Sequence, residues 1–205
     1  MEKKDKMTWY DVTYKQFKQL EPLLALDNDM DRLTGVAELL LGDDVTDLPL
    51  QDFVKEVKKL DFLKEPIPEK NPPKKLEVNG KKYIIDCLLG NVSTAQYIDY
   101  ANHAKNNDIV KMLSVFIIPE GHKYNDGYDM NEVFNDIENI SIAVINSAAF
   151  FFAKQFALFV RIFQRYSRKM LKRTDLPKET KEQILRMMDS SVDLVLYPLS
   201  SNSVR

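Results

Sequence analysis

The amino-acid sequence predicts a mainly α protein, a helical domain with one small β-hairpin and a long C-terminal helix. Apolar residues recur at helical spacing along most of the chain, Asn79-Gly80 sits between two short strand-like runs, and 141–173 contains neither proline nor glycine.

Thr13 and Gln16 have the capping-box spacing, in which hydroxyl and amide each satisfy a backbone N–H at a helix start. Tyr14, Phe17 and Leu20 follow as an apolar stripe, and Pro22 is expected to break it near Glu21. Leu33, Val36, Ala37, Leu40 and Leu41 form a second helix ending at Gly42, its start expected to be capped by Asp29 or Asp31. Pro49 precedes a third helix through Phe53, Val54, Val57 and Leu60. Glu65–Lys75 holds four prolines, which favour extended backbone and predict a linker at 65–75 between an acidic helical region, 1–64, and a second domain, 76–199. Residues 200–205 read as a tail.

Asn79-Gly80 tolerates the positive φ of a two-residue turn, so Leu76–Val78 and Lys82–Ile85 should pair as a hairpin, the one strong strand signal. Ser93 with Gln96 repeats the capping-box spacing ahead of Tyr97, Tyr100 and Ala101. Ile109, Met112, Leu113 and Phe116 suggest a helix running to Pro119. Asp129 with Glu132 should cap a helix carrying Val133, Phe134 and Ile137. The uninterrupted stretch from Ser141 to Arg173 reads as one long helix, and Pro177 opens a last one with Ile184, Leu185 and Met188.

A chain of 205 residues, 44% hydrophobic, can bury a substantial core, while 29 basic against 31 acidic side chains give a net charge of −2 and no global attraction to nucleic acid or membrane. The charge is unevenly placed: residues 27–61 hold ten Asp or Glu against four Lys or Arg. One cysteine, Cys87, excludes an internal disulfide, and the charged start has no apolar run behind it, so synthesis and use in a reducing cytoplasm are expected.

Asp27, Asp29, Asp31 and Glu38 fall at positions 1, 3, 5 and 12 of an EF-hand loop, but position 6, which needs glycine, is Arg32. The acids are better read as favouring a helix start. His103, His122 and Cys87 match no zinc spacing, and Asp99 four residues before His103 is better read as a surface pair than as a catalytic dyad. The six glycines form no phosphate-binding cluster. No catalytic residue, metal or cofactor is expected, and the chain is read as a non-enzyme.

Ile142–Val160 has the length of a membrane span, but Asn146, Lys154 and Gln155 favour a buried core helix or an oligomer interface, with Phe150, Phe151 and Phe152 as contact residues. Beyond it, Arg161, Arg165, Arg168 and Lys172 advance by four, three and four along one helix face, and no acid lies between Arg161 and Arg173. Such a stripe is either solvated or docks on an acidic protein surface. Nucleic acid is the lesser reading, since no aromatic platform is interleaved for base stacking.

The order of Asn79-Gly80-Lys81-Lys82-Tyr83, Thr94-Ala95-Gln96-Tyr97-Ile98-Asp99, Met112-Leu113-Ser114-Val115-Phe116-Ile117-Ile118-Pro119, Tyr124 to Asp129 and Ala149-Phe150-Phe151-Phe152 resembles small tail-region and tail-assembly proteins of bacteriophages infecting Bacteroidetes-type hosts. The resemblance spans residues 10–165 and implies a morphogenesis role: a virion protein of the tail or head–tail region, made in the host cytoplasm. Its expected partners are other phage structural proteins and further copies of itself in an oligomer or ring. A tail assembly chaperone absent from the particle, or a bacterial helical adaptor, is the alternative.

Overall fold

The structure, a computed structural model, describes residues 6–86, 88–106, 108–174 and 176–186. Cys87, Met188 and the 200–205 tail lie outside them. The protein is mainly α, with seven α-helices named here and a small antiparallel sheet.

Helix α1 (Tyr14–Leu24) starts at Thr13, whose hydroxyl accepts from the Gln16 backbone N–H at 3.1 Å while the Gln16 side-chain Oε1 accepts from the Thr13 N–H at 3.0 Å. Thr13→Ala removes that acceptor and is expected to cost about 1 kcal/mol. Urea titration checks this, and an unchanged midpoint would show the cap to be dispensable. The break expected at Pro22 does not occur. Pro22 is exposed and two residues from the helix end, so the backbone bond it forfeits lies on the solvent side of the last turn.

Helix α2 (Asp29–Leu41) is capped by Asn28, not by Asp29 or Asp31. The Asn28 side chain accepts from the N–H groups of Met30 and Asp31 at 2.8 and 3.3 Å, leaving the aspartates in the first turn beside the positive end of the helix dipole. Gly35 lets α2 approach α1, since a Cβ there would come within 2.9 Å of the Leu23 side chain. A 3₁₀ turn (Asp43–Asp47) leads to α3 (Leu50–Val57), and a second (Lys58–Lys64) carries Leu60 and Phe62 into the core.

Residues 65–75, the linker of the sequence reading, form neither helix nor strand before Lys75 and lie along the body. The Glu65 carbonyl accepts from the Trp9 indole N–H at 2.9 Å, the Pro68 carbonyl accepts from Asn146 and Ser147, and Ile67 packs on the core. The regions before and after this segment share one core. Trp9, Val12, Leu20 and Phe62 from the first cluster with Tyr83, Tyr100, Phe116, Ile137 and Phe152 from the second. Backbone bonds at 2.8 Å, from Tyr14 to Ile140 and from Ile142 to Val12, fasten the N-terminal segment to the start of the last long helix.

Strands β1 (Lys75–Val78) and β2 (Lys81–Ile85) form the expected hairpin, with Asn79 and Gly80 at φ 52° and 76°. A third strand, β3 (Ile117–Pro119), was not anticipated and pairs antiparallel with the other edge of β2. The helix expected to run to Pro119 is instead α5 (Ile109–Ser114), and Ile117 and Ile118 face Ile85 and Ile84. β-branched residues gain more from pairing beside an open strand edge than from another helical turn.

Helix α4 (Thr94–Lys105) has the expected box of Ser93 and Gln96, and the Gln96 amide also donates to the Val115 carbonyl at 2.8 Å. Asp129 caps α6 (Met130–Glu138) through the Asn131 N–H, but Glu132 does not complete a box, because its carboxylate pairs with Lys81 of the hairpin. Helix α7 (Ile142–Lys172) is one 31-residue element capped by Ser141, packed on α1, α5 and a 3₁₀ turn at Leu89–Asn91. A further helical stretch occupies 178–186 after Pro177.

Candidate functional site

The long helix changes character along its length. Ile142, Ala143, Ile145, Ala148 and Phe152 are buried in the shared core. An α-helix repeats its facing every five turns, eighteen residues, so Tyr166 lies on the face of Ala148 and Met170 on that of Phe152. Ala148 is fully buried and Phe152 2% exposed, whereas Tyr166 is 61% and Met170 43% exposed. The same face therefore leaves the core and enters solvent: α7 outruns the body that covers it. Leu158 and Ile162, also exposed, continue the row at four-residue spacing, giving Leu158–Ile162–Tyr166–Met170.

Beside this row lie the cations. Arg161, Arg165, Arg168, Lys169 and Arg173 are all exposed, and Lys172 occupies the last helical residue with its side chain outside the description. No Asp or Glu occurs anywhere in α7, so neighbours on the helix cannot neutralise them. The result is a helix end with an exposed apolar ridge flanked by positive charge, a surface suited to an acidic partner with apolar groups of its own.

The three phenylalanines separate. Phe152 is a core residue, its ring 4.2 Å from that of Phe116 and 4.6 Å from that of Tyr100. Phe151 is half-buried against the core margin, and Phe150, also half-buried, carries the Lys154 ammonium 4.0 Å above its ring centre.

Several other titratable groups have structural partners. Burial pushes the Tyr124 pKa up, helped by the hydrogen bond its hydroxyl donates to Asp99 at 2.8 Å. His122 lies edge-on to Tyr128 at 5.8 Å. A cleft of about 460 Å³ between α1, α5 and α6 has its charges joined in pairs, Lys18 with Glu138 at 2.5 Å and Lys111 with Asp108 at 2.9 Å. A second cleft, about 470 Å³, lies between the hairpin and α6 and contains the Lys81–Glu132 pair. Of the EF-hand-like acids, Asp29 pairs with Arg32 and Glu38 accepts from Thr46 at 3.4 Å. Among the described residues no group of three or more His, Cys, Asp or Glu is placed to hold a metal, and no helix is long and apolar enough to cross a membrane.

Sequence reasoning missed Asp136. It is 4% exposed and accepts from Asn79 at 2.7 Å, from Lys81 at 3.3 Å and from the Tyr83 hydroxyl. Burial alone would raise its pKa, but the three hydrogen bonds and the lysine charge outweigh that and hold it below the usual carboxylate range. The available signal was an acid inside the Val133–Ile137 apolar stripe. Compared with protein-family models, curated proteins and solved structures, the chain finds no match.

Proposed function

We propose that this chain is a non-enzymatic assembly protein, a bacteriophage virion component of the tail or head–tail region, and that the outer half of α7 is its docking element. The observation that carries the docking role is the passage of one helix face from full burial at Ala148 to 61% exposure at Tyr166, beside an uninterrupted basic row. An isolated soluble domain gains nothing by exposing such a ridge, whereas a partner that covers it recovers the hydrophobic gain. The phage setting is supported by the sequence resemblance, which includes the Ala149–Phe152 segment at the root of the same helix.

Reversing Arg165 and Arg168 to Glu tests both parts. The variant should keep its circular dichroism spectrum, since both side chains are exposed, and its amount in purified particles, measured by quantitative mass spectrometry, should fall at least tenfold, about 1.4 kcal/mol. Normal incorporation of the variant would leave the basic row as a solvated face. Absence of the unaltered chain from particles, with abundance in infected cells, would make it an assembly chaperone.

A further inference from the structure

We infer that the outer half of α7 docks on a second copy of this chain, seated head to tail against the edge formed by the Asp43–Asp47 turn and the start of α3. The inference rests on the docking role proposed above and supplies its partner. Leu48, Leu50 and Val54 are exposed at this edge, and Leu50, at 76%, is the most exposed large apolar side chain among the described residues. Leu50 and Val54 lie one turn apart on the outer face of α3, while Phe53 and Val57 pack on the core. The edge matches the α7 ridge in kind, a short apolar row beside charge of one prevailing sign, and opposes it in charge: Asp44 and Asp47 are exposed next to Leu48, while Asp52 is paired with Lys55 at 2.8 Å. Residues 33–54 contain five acids, Glu38, Asp43, Asp44, Asp47 and Asp52, and no Lys or Arg. Residues 161–173 contain six bases and no acid.

Both surfaces are exposed in the single chain, so neither covers the other within one copy. Pairing α7 with α7 would set like charges together, which disfavours a two-fold contact through this helix. A contact between two different surfaces is heterologous, and repeating it yields a ring if the rotation closes and a filament if it does not.

A charge exchange in the full-length chain tests this. Arg161→Glu with Arg165→Glu reverses one surface, Asp44→Lys with Asp47→Lys reverses the other, and the four changes together restore the complementarity with its signs exchanged. By sedimentation equilibrium at about 100 µM in low salt, the unaltered chain should exceed the monomer mass, each double variant should return to it, and the fourfold variant should reassociate. Leu50→Asp, which tests the apolar part, should also sediment as a monomer. A monomeric unaltered chain, or a fourfold variant that fails to reassociate although folded by circular dichroism, overturns the inference. If the unaltered chain is monomeric yet reversal of Arg165 and Arg168 still depletes it from particles, the docking role stands and the partner is a different protein. If particle incorporation is also unaffected, both fall.

Discussion

Phe152→Ala is expected to lower the unfolding free energy by about 3–5 kcal/mol, the range for removing a buried aromatic ring. Phe152 joins α7 to two other parts of the fold, through Tyr100 on α4 and Phe116 just before β3. Its neighbours Tyr100, Ile109, Met112, Leu113 and Ala149 already border a void of about 10 Å³ with Phe152, so deleting the ring enlarges an existing gap. The walls come from three helices and do not collapse easily, which places the cost towards the upper end. Urea unfolding followed by Trp9 fluorescence reads it, because Trp9 is buried in the same core. Phe151→Ala, at the half-buried neighbour, should cost clearly less. Equal losses at the two positions would mean that α7 does not seat as described.

Asp136→Ala is expected to cost about 3 kcal/mol, the sum of lost bonds to a charged acceptor and the penalty for a buried hydroxyl left without one. The buried Tyr83 hydroxyl suffers most, because Asn79 and Lys81 can turn to water. Beside the Lys81–Glu132 pair, the aspartate is also a tie between the hairpin and α6, so its loss should loosen the sheet first, visible as faster amide exchange in 75–85. The same group sets an acid limit. Its folded pKa is depressed relative to the unfolded chain, so its contribution is fully present above the unfolded value of about 3.9 and is lost as pH falls through the lower folded value. The unaltered protein should therefore lose stability faster than Asp136→Asn as the pH falls below about 4. Parallel acid profiles for the two proteins would remove Asp136 from that role.

The local grammar of the chain was legible without the structure. The capping boxes at Thr13 and Ser93, the Asn79-Gly80 turn and the start of the long helix at Ser141 lie where the sequence places them. Each is decided by atoms within a few residues: a hydroxyl reaching a backbone N–H, a turn accepting positive φ, an absence of helix breakers. The basic row on α7 was readable for the same reason, since helical spacing alone puts Arg161, Arg165 and Arg168 together.

What tertiary structure decided depends on partners distant in sequence. Whether Ile117 and Ile118 continued a helix or entered β3 turned on the open edge of β2, some thirty residues earlier. Whether Glu132 closed a capping box turned on Lys81 standing nearby. Asp136 acquired its hydrogen-bond donors from three groups on the hairpin, and the 65–75 segment its course from Trp9 and Ser147. The sequence by itself determined the helices, the hairpin and the basic row, because short-range hydrogen bonding and periodicity define them. Only the tertiary structure decided where the core stops along α7. Periodicity assigns a residue to a face, and the extent of the packed body determines whether that face is buried, as at Phe152, or exposed, as at Met170.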